Sequence, residues 1–129
     1  MTAQLNHTIV WCTDKVRSAE FLGDVLGLPP AQPFSHFLVH ALANDVSMDF
    51  MEKPGPIALQ HYAFLVSEDE FDRGFALIRK RGLDYWADPA RQQPGEINRL
   101  WGGRGVYFED PDGHFLELIT KPYGSMEDL

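Results

Sequence analysis

Leu5 to Cys12 (LNHTIVWC) is apolar and β-branched enough for a strand, whose side chains alternate between two faces. That alternation places Leu5, His7, Ile9 and Trp11 on one face. His61 to Val66 (HYAFLV) has the same character, with His61, Ala63 and Leu65 sharing a face. Six residues after each histidine stands a hydroxyl residue suited to cap a helix, Thr13 in the first case and Ser67 in the second. Ser67 with Glu70 makes a reciprocal capping box. The spacing then turns helical. Val16, Ala19, Leu22 and Leu26 form one stripe, and Phe71, Phe75 and Ile78 form another. Lys80 and Arg81 fall in the last turn of the second helix, where the helix dipole favours cations. Both helices run into Gly-Leu, at Gly27-Leu28 and Gly82-Leu83, and glycine there is a natural stop.

Strands are predicted after each helix, over Phe37 to Leu42 and Val46 to Met51, and again over Val106 to Phe108 and Phe115 to Thr120. Asp110-Pro111-Asp112-Gly113 joins the last two as a type I turn. Lys53-Pro54-Gly55-Pro56 breaks regular structure between the halves. Each half therefore reads strand, helix, then two or three strands. The expectation is an α+β domain over residues 1–129, built from βαβββ twice: module one about 1–53, module two about 57–123. The halves differ in one place. The stretch from Gly82 to Glu117 is 13 residues longer than that from Gly27 to Asp49, and the extra residues lie around Ala87 to Arg104. Such a loop is either functional or a solvated insertion.

The repeat brings chemistry with it. His7 and His61 open equivalent strands, and Asp49 and Glu117 sit at equivalent places in the last strand of each half. A carboxylate within an apolar strand is costly to bury unless it is paired or bound to a metal. Two histidines and a carboxylate form the facial triad of a mononuclear metal site, with coordination positions left open. Taken singly, each of these residues reads as a hydrogen-bonded or outward-facing strand residue, and the repeat is what links them.

The ending GVYFEDPDGHFLELI (Gly105 to Ile119) resembles the vicinal oxygen chelate superfamily, which includes glyoxalase I, fosfomycin-resistance proteins, bleomycin-resistance proteins and extradiol dioxygenases. The strands at Leu5-Asn6-His7 and Gln60-His61-Tyr62 are similar to its two histidine positions. The resemblance implies paired βαβββ modules curling into a U-shaped half-barrel around a divalent ion held by His7, His61 and Glu117. It also implies a homodimer. Asp49 is the candidate fourth ligand or base. Glyoxalase I-like members carry the longer Glu there, so the alternative for Asp49 is a short carboxylate hydrogen-bonded at the strand end.

Further substrate-binding or catalytic candidates are Tyr107, an acid or hydrogen-bond donor, His40 beside a strand, and Arg99, Trp101 and Arg104 in or beside the long loop. His114 is expected to be a turn residue rather than a ligand. No phosphate loop or serine-hydrolase elbow is present.

Composition narrows the setting. Of 129 residues 44% are hydrophobic and 23% charged, as in globular domains, and the net charge is −8. An acidic chain is a poor partner for nucleic acid or anionic lipid. No apolar run is long enough to span a bilayer. The start carries no signal-peptide pattern, and the single cysteine, Cys12, allows no internal disulfide. A cytoplasmic protein handling a small molecule is expected, with no nucleic-acid or membrane partner. Its cofactor would be a divalent transition metal (Fe, Mn, Ni, Zn or Co). The reaction would be isomerase or lyase chemistry, ring cleavage by oxygen, or addition to an epoxide. The alternative is a metal-free drug-binding protein of the bleomycin-resistance type, with Trp11, Phe34 and Trp101 lining a cleft.

Overall fold

A computed structural model describes residues 2–124. The described residues divide into two compact units, one on either side of the Ala58–Leu59 junction. The first holds β1 (His7–Cys12), α1 (Lys15–Leu26), β2 (Gln32–Phe34), β3 (Phe37–Ala41) and β4 (Ser47–Glu52). The second holds β5 (His61–Leu65), α2 (Glu68–Lys80), β6 (Tyr85–Trp86), a 3-10 turn (Leu100–Gly102), β7 (Gly105–Glu109) and β8 (Phe115–Ile119). The strand orders are β1-β4-β3-β2 and β5-β8-β7-β6, the same topology twice. In each unit the first and last strands run parallel and the rest antiparallel. The predicted βαβββ repeat is thus the architecture, and the fold class is α+β. None of the described helices is long and apolar enough to cross a membrane.

The alternation read from the sequence decides which face each strand buries. In unit one Val10, Cys12, His40, Met48 and Phe50 are buried on the side of α1, against Ala19, Leu22, Val25 and Leu26. In unit two Phe64, Val106, Phe108, Leu116 and Leu118 are buried on the side of α2, with Phe71 and Ile78 wholly enclosed. Val16 departs from the predicted stripe: it is half exposed, and Ser18 and Phe21 are buried in the first turns instead.

The α1 cap shifts by one residue from Thr13 to Asp14, whose carboxylate accepts from Arg17 N at 3.1 Å. Gly27 ends α1 in the left-handed region, at φ 70°. The capping box at α2 is complete: Ser67 N donates to Glu70 at 2.8 Å, and Glu70 N donates to the Ser67 hydroxyl at 3.1 Å. Glu70 is held below the ordinary carboxylate range, first by the Ser67 backbone N–H and then by its hydroxyl. The predicted turn before β8 also forms. Gly113 N donates to Asp110 O at 3.0 Å, and the Asp110 carboxylate accepts from Asp112 N and His114 N.

Candidate metal centre

Each sheet turns one face to its helix and leaves the other for chemistry. On that second face of unit one lie His7, Ile9 and Trp11 of β1 with Ser47, Asp49 and Met51 of β4. The register pairs His7 with Ser47 and Ile9 with Asp49. In unit two it pairs His61 with Phe115 and Ala63 with Glu117. The carboxylate therefore stands at one lattice position in both sheets, opposite the residue two places beyond the histidine. His7 and Asp49 line one groove of about 570 Å³ with Asn6, Phe34 and Val39. His7 Nδ1 lies 2.8 Å from Asn6 Oδ1, and an amide oxygen can only accept, so Nδ1 carries the proton and Nε2 is left with its lone pair. The Ser47 hydroxyl donates to Asp49 Oδ1 at 2.8 Å.

Unit two builds the more constrained half. His61 Nδ1 donates to the Phe115 carbonyl at 2.9 Å, which again directs the Nε2 lone pair outward. Nε2 stands 3.2 Å from Glu117 Oε1. This is an ion-pair distance without hydrogen-bond geometry, and Oε1 is buried with no hydrogen-bond partner. Glu117 itself is 1% exposed. A buried carboxylate oxygen facing an imidazole lone pair is the electron-rich arrangement that a cation resolves. The donor chemistry, His nitrogen and carboxylate oxygen, suits a first-row divalent ion. Within each unit the donors come in pairs; among the described residues no group of three or more His, Cys, Asp or Glu side chains is gathered to hold a metal ion.

Around this pair stand aromatic residues. Tyr107 stacks on Phe115, ring centroids 5.3 Å apart and 20° from parallel, and lies 6.1 Å from the His61 ring. Trp86 lies 5.9 Å from Phe115. The Arg91 guanidinium covers both Phe115 (4.2 Å) and Trp86 (4.8 Å) and pairs with Glu109. The Tyr107 hydroxyl is 3.0 Å from that of Tyr123, which donates to Glu117 Oε2 at 2.5 Å. Burial pushes Tyr107 and Tyr123 above the ordinary phenol range, helped by the neighbouring carboxylate, so both remain protonated donors at neutral pH.

Two candidates from the sequence are placed elsewhere. His40 faces α1: it is 3% exposed, and its Nε2 donates to the Ala19 carbonyl at 2.7 Å. Its place in β3 puts it on the same side as Leu38, opposite Val39 and the groove, so it is a packing residue. Arg104 also points away from the site. It stacks on Phe71 at 4.4 Å and pairs with Glu68 and Asp72, both at 2.8 Å, tying the start of β7 to α2. Trp101 does reach the site's edge, 6.3 Å from Tyr123, with its indole N–H buried and without a partner. Arg99 is exposed at the foot of the 3-10 turn. His114 is buried, and its Nδ1 accepts from Gln60 N at 3.0 Å, a structural bond that closes the turn into β8. Cys12 is fully buried, as expected of a core thiol. Sequence reasoning missed Tyr123, Trp86, Arg91 and Phe115. Phe115 was legible as a face-mate of Glu117, whereas no periodicity marks the other three.

A repeated βαβββ fold with a His–carboxylate pair aimed at a cation describes a class of small-molecule metalloenzymes. Comparison with known proteins gives the family. Residues 4–118 match the Glyoxalase/Bleomycin resistance protein/Dioxygenase superfamily, and the chain belongs to it. The solved structure of Oxidase ChaP-H1 superposes with a TM-score of 0.93 at 58% identity, covering 95% of this chain and 99% of that one. Metallothiol transferase FosB of Lysinibacillus sphaericus (strain C3-41) is 30% identical over 99% of this chain and 88% of its own length. Glutathione transferase FosA of Serratia marcescens is 30% identical over 98% and 95%. The chain is a metal-dependent enzyme of this superfamily with a small-molecule substrate.

Proposed function

We propose that the chain is an oxidoreductase of the oxidase or dioxygenase type, with His7, His61 and Glu117 holding its divalent metal. The observation that carries the site is the buried Glu117 Oε1, unpartnered and 3.2 Å from the His61 lone pair. The 58% identity to a protein named an oxidase favours oxygen chemistry over the thiol transfer named in relatives at 30%. When bound, the divalent ion supplies Lewis-acid stabilisation of charge on substrate oxygens.

The chain's own residues do the rest. The Phe115 and Asn6 acceptors fix both imidazole tautomers so that Nε2 is the donor atom of each ring. Phe115, Tyr107 and Trp86 offer a stacking wall for a flat substrate. Tyr107 holds a proton at its hydroxyl, and Trp101 Nε1–H is a donor ready for a substrate oxygen. Asp49 shares the groove with His7, where it serves as a base or further ligand. We take the working form to be a homodimer, as the family resemblance implies. We place it in the cytoplasm, consistent with a sequence that holds one cysteine, Cys12, and buries it.

Metal analysis of protein purified without chelators tests this reading. About one equivalent of a transition metal is expected, lost in His61→Ala and in His7→Ala with the far-UV circular dichroism retained. Unchanged metal content in His61→Ala would overturn the site. Thiol-dependent epoxide opening without oxygen uptake would overturn the oxidase assignment.

A further inference from the structure

The carboxylate proposed as a ligand is not held by its own strand alone. Six residues separate Glu117 from Tyr123, which an extended chain would place roughly 20 Å apart. Instead the Tyr123 hydroxyl meets Glu117 Oε2 at 2.5 Å, so the chain doubles back after β8. The reversal is anchored. Arg104 N donates to the Thr120 hydroxyl at 2.8 Å, and Thr120 N donates to the Arg104 carbonyl at 3.0 Å. Gly103 makes room for this crossing: a Cβ there would stand 2.6 Å from side-chain atoms of both Thr120 and Lys121. The Tyr123 ring then leans on Trp101 of the long loop, and its hydroxyl lies 3.0 Å from that of Tyr107. Tyr123 is 58% exposed as a residue, yet its hydroxyl reaches a carboxylate that is 1% exposed.

We infer that Tyr123 is a positioning residue that fixes Glu117 as a one-oxygen ligand. The inference rests on the reading of Glu117 as a metal ligand given above. A phenol-to-carboxylate bond of this length is of the strong, charge-assisted kind. It occupies Oε2 and leaves Oε1, the atom facing His61, as the only free oxygen. A carboxylate tied in this way gives one donor to a metal instead of two, so a further coordination position remains for substrate or solvent. Outer-sphere partners of this kind orient the ligand, and their loss usually weakens metal binding about 10–100-fold. Tyr107 sits behind Tyr123 and orients that hydroxyl in turn.

The test uses full-length protein loaded with Co(II), comparing wild type with Tyr123→Phe, Tyr123→Ala and Glu117→Ala. Affinity is read by chelator competition and coordination by the visible d–d absorption. Tyr123→Phe keeps the ring and removes only the hydroxyl. Its Co(II) affinity is expected to fall about 10-fold, and its d–d bands to weaken and shift as the freed carboxylate binds through two oxygens. A purely structural role for the tail would leave the spectrum unmoved and would distinguish Tyr123→Ala from Tyr123→Phe. Unchanged affinity and spectrum in Tyr123→Phe, with binding abolished in Glu117→Ala, would overturn this inference alone. Retained Co(II) binding in Glu117→Ala would overturn the metal site itself.

Discussion

Glu117→Gln should make the metal-free protein more stable while removing its response to metal. In the wild type, Oε2 accepts from Tyr123, but Oε1 is buried without a partner beside the His61 lone pair. A buried polar atom left unsatisfied costs about 1–3 kcal/mol. The amide of glutamine has the same shape and repairs the mismatch. Its carbonyl oxygen accepts from Tyr123, and its neutral NH2 replaces the charged oxygen 3.2 Å from His61 Nε2, so that two lone pairs no longer face each other. For a chain of this length each kcal/mol moves the melting temperature by about 3–5 °C. The metal-free variant should therefore melt roughly 3–15 °C above the metal-free wild type by the same measure. Metal reverses the order: at 100 times Kd, binding adds about 2.7 kcal/mol to the wild type, and a variant that cannot bind gains nothing. Calorimetry at pH 8, with chelator and then with Co(II) or Mn(II), reads both arms. The competing account is that His61 is an imidazolium and already satisfies Glu117 as a buried ion pair. Removing one partner of such a pair leaves a buried charge uncompensated and is strongly destabilising. A metal-free Glu117→Gln protein that melts below the wild type would therefore refute the reasoning and favour the ion pair.

Two predictions concern the scaffold. Phe71→Ala removes a wholly buried ring that lies under the Arg104 guanidinium; urea denaturation should show a loss of about 3–5 kcal/mol, and a loss below about 1 kcal/mol would contradict the packing described. At the α2 cap, the native structure holds the Glu70 carboxylate below its ordinary pKa, so its contribution is present above the unfolded-state value and disappears as pH falls through the folded one. Glu70→Gln should thus lose a few tenths of a kcal/mol at pH 7, discounted for exposure, and match the wild type in strong acid. An acid limb identical in shape for both proteins would show that the cap is not ionically supported.

Much of the fold was legible because the local signals agree with each other. The capping box at Ser67 and Glu70, the Asp110–Gly113 turn and the alternation of β1 and β5 each point to the structure that forms. The two strands that were not assigned are the shortest, β2 and β6. β2 contains Pro33, which belongs on an edge and gives no strand signal. The sequence leaves His40 open between substrate and packing roles because face assignment in β3 depends on its register with β4, and a shift of one residue reverses every side chain. Arg104 differs for another reason. The sequence sets it beside the long loop as a substrate-binding candidate, but it lies where the chain enters β7, within reach of the acidic start of α2. The Tyr123 contact was out of reach of any periodicity, since it depends on a chain reversal after β8 and on the room left at Gly103.

The repeat itself explains why two carboxylates occur and why only one of them strains its surroundings. Asp49 and Glu117 occupy the same lattice position, opposite Ile9 and Ala63. Their neighbours differ. Two residues earlier on the same face stands Ser47 in unit one and Phe115 in unit two. The serine hydroxyl donates to Asp49 Oδ1 at 2.8 Å, and the groove stays open to solvent, so that carboxylate is satisfied locally. The phenylalanine has no side-chain donor; its carbonyl takes the His61 proton instead, and its ring stacks on Tyr107. Glu117 is thereby enclosed, held through one oxygen by Tyr123 from beyond β8 and left with the other bare. Position follows from the duplicated backbone, and role from whether the neighbour two places back can donate a hydrogen bond. On that ground the unsatisfied carboxylate lies in unit two, and Asp49, satisfied by Ser47, makes no such demand on its surroundings.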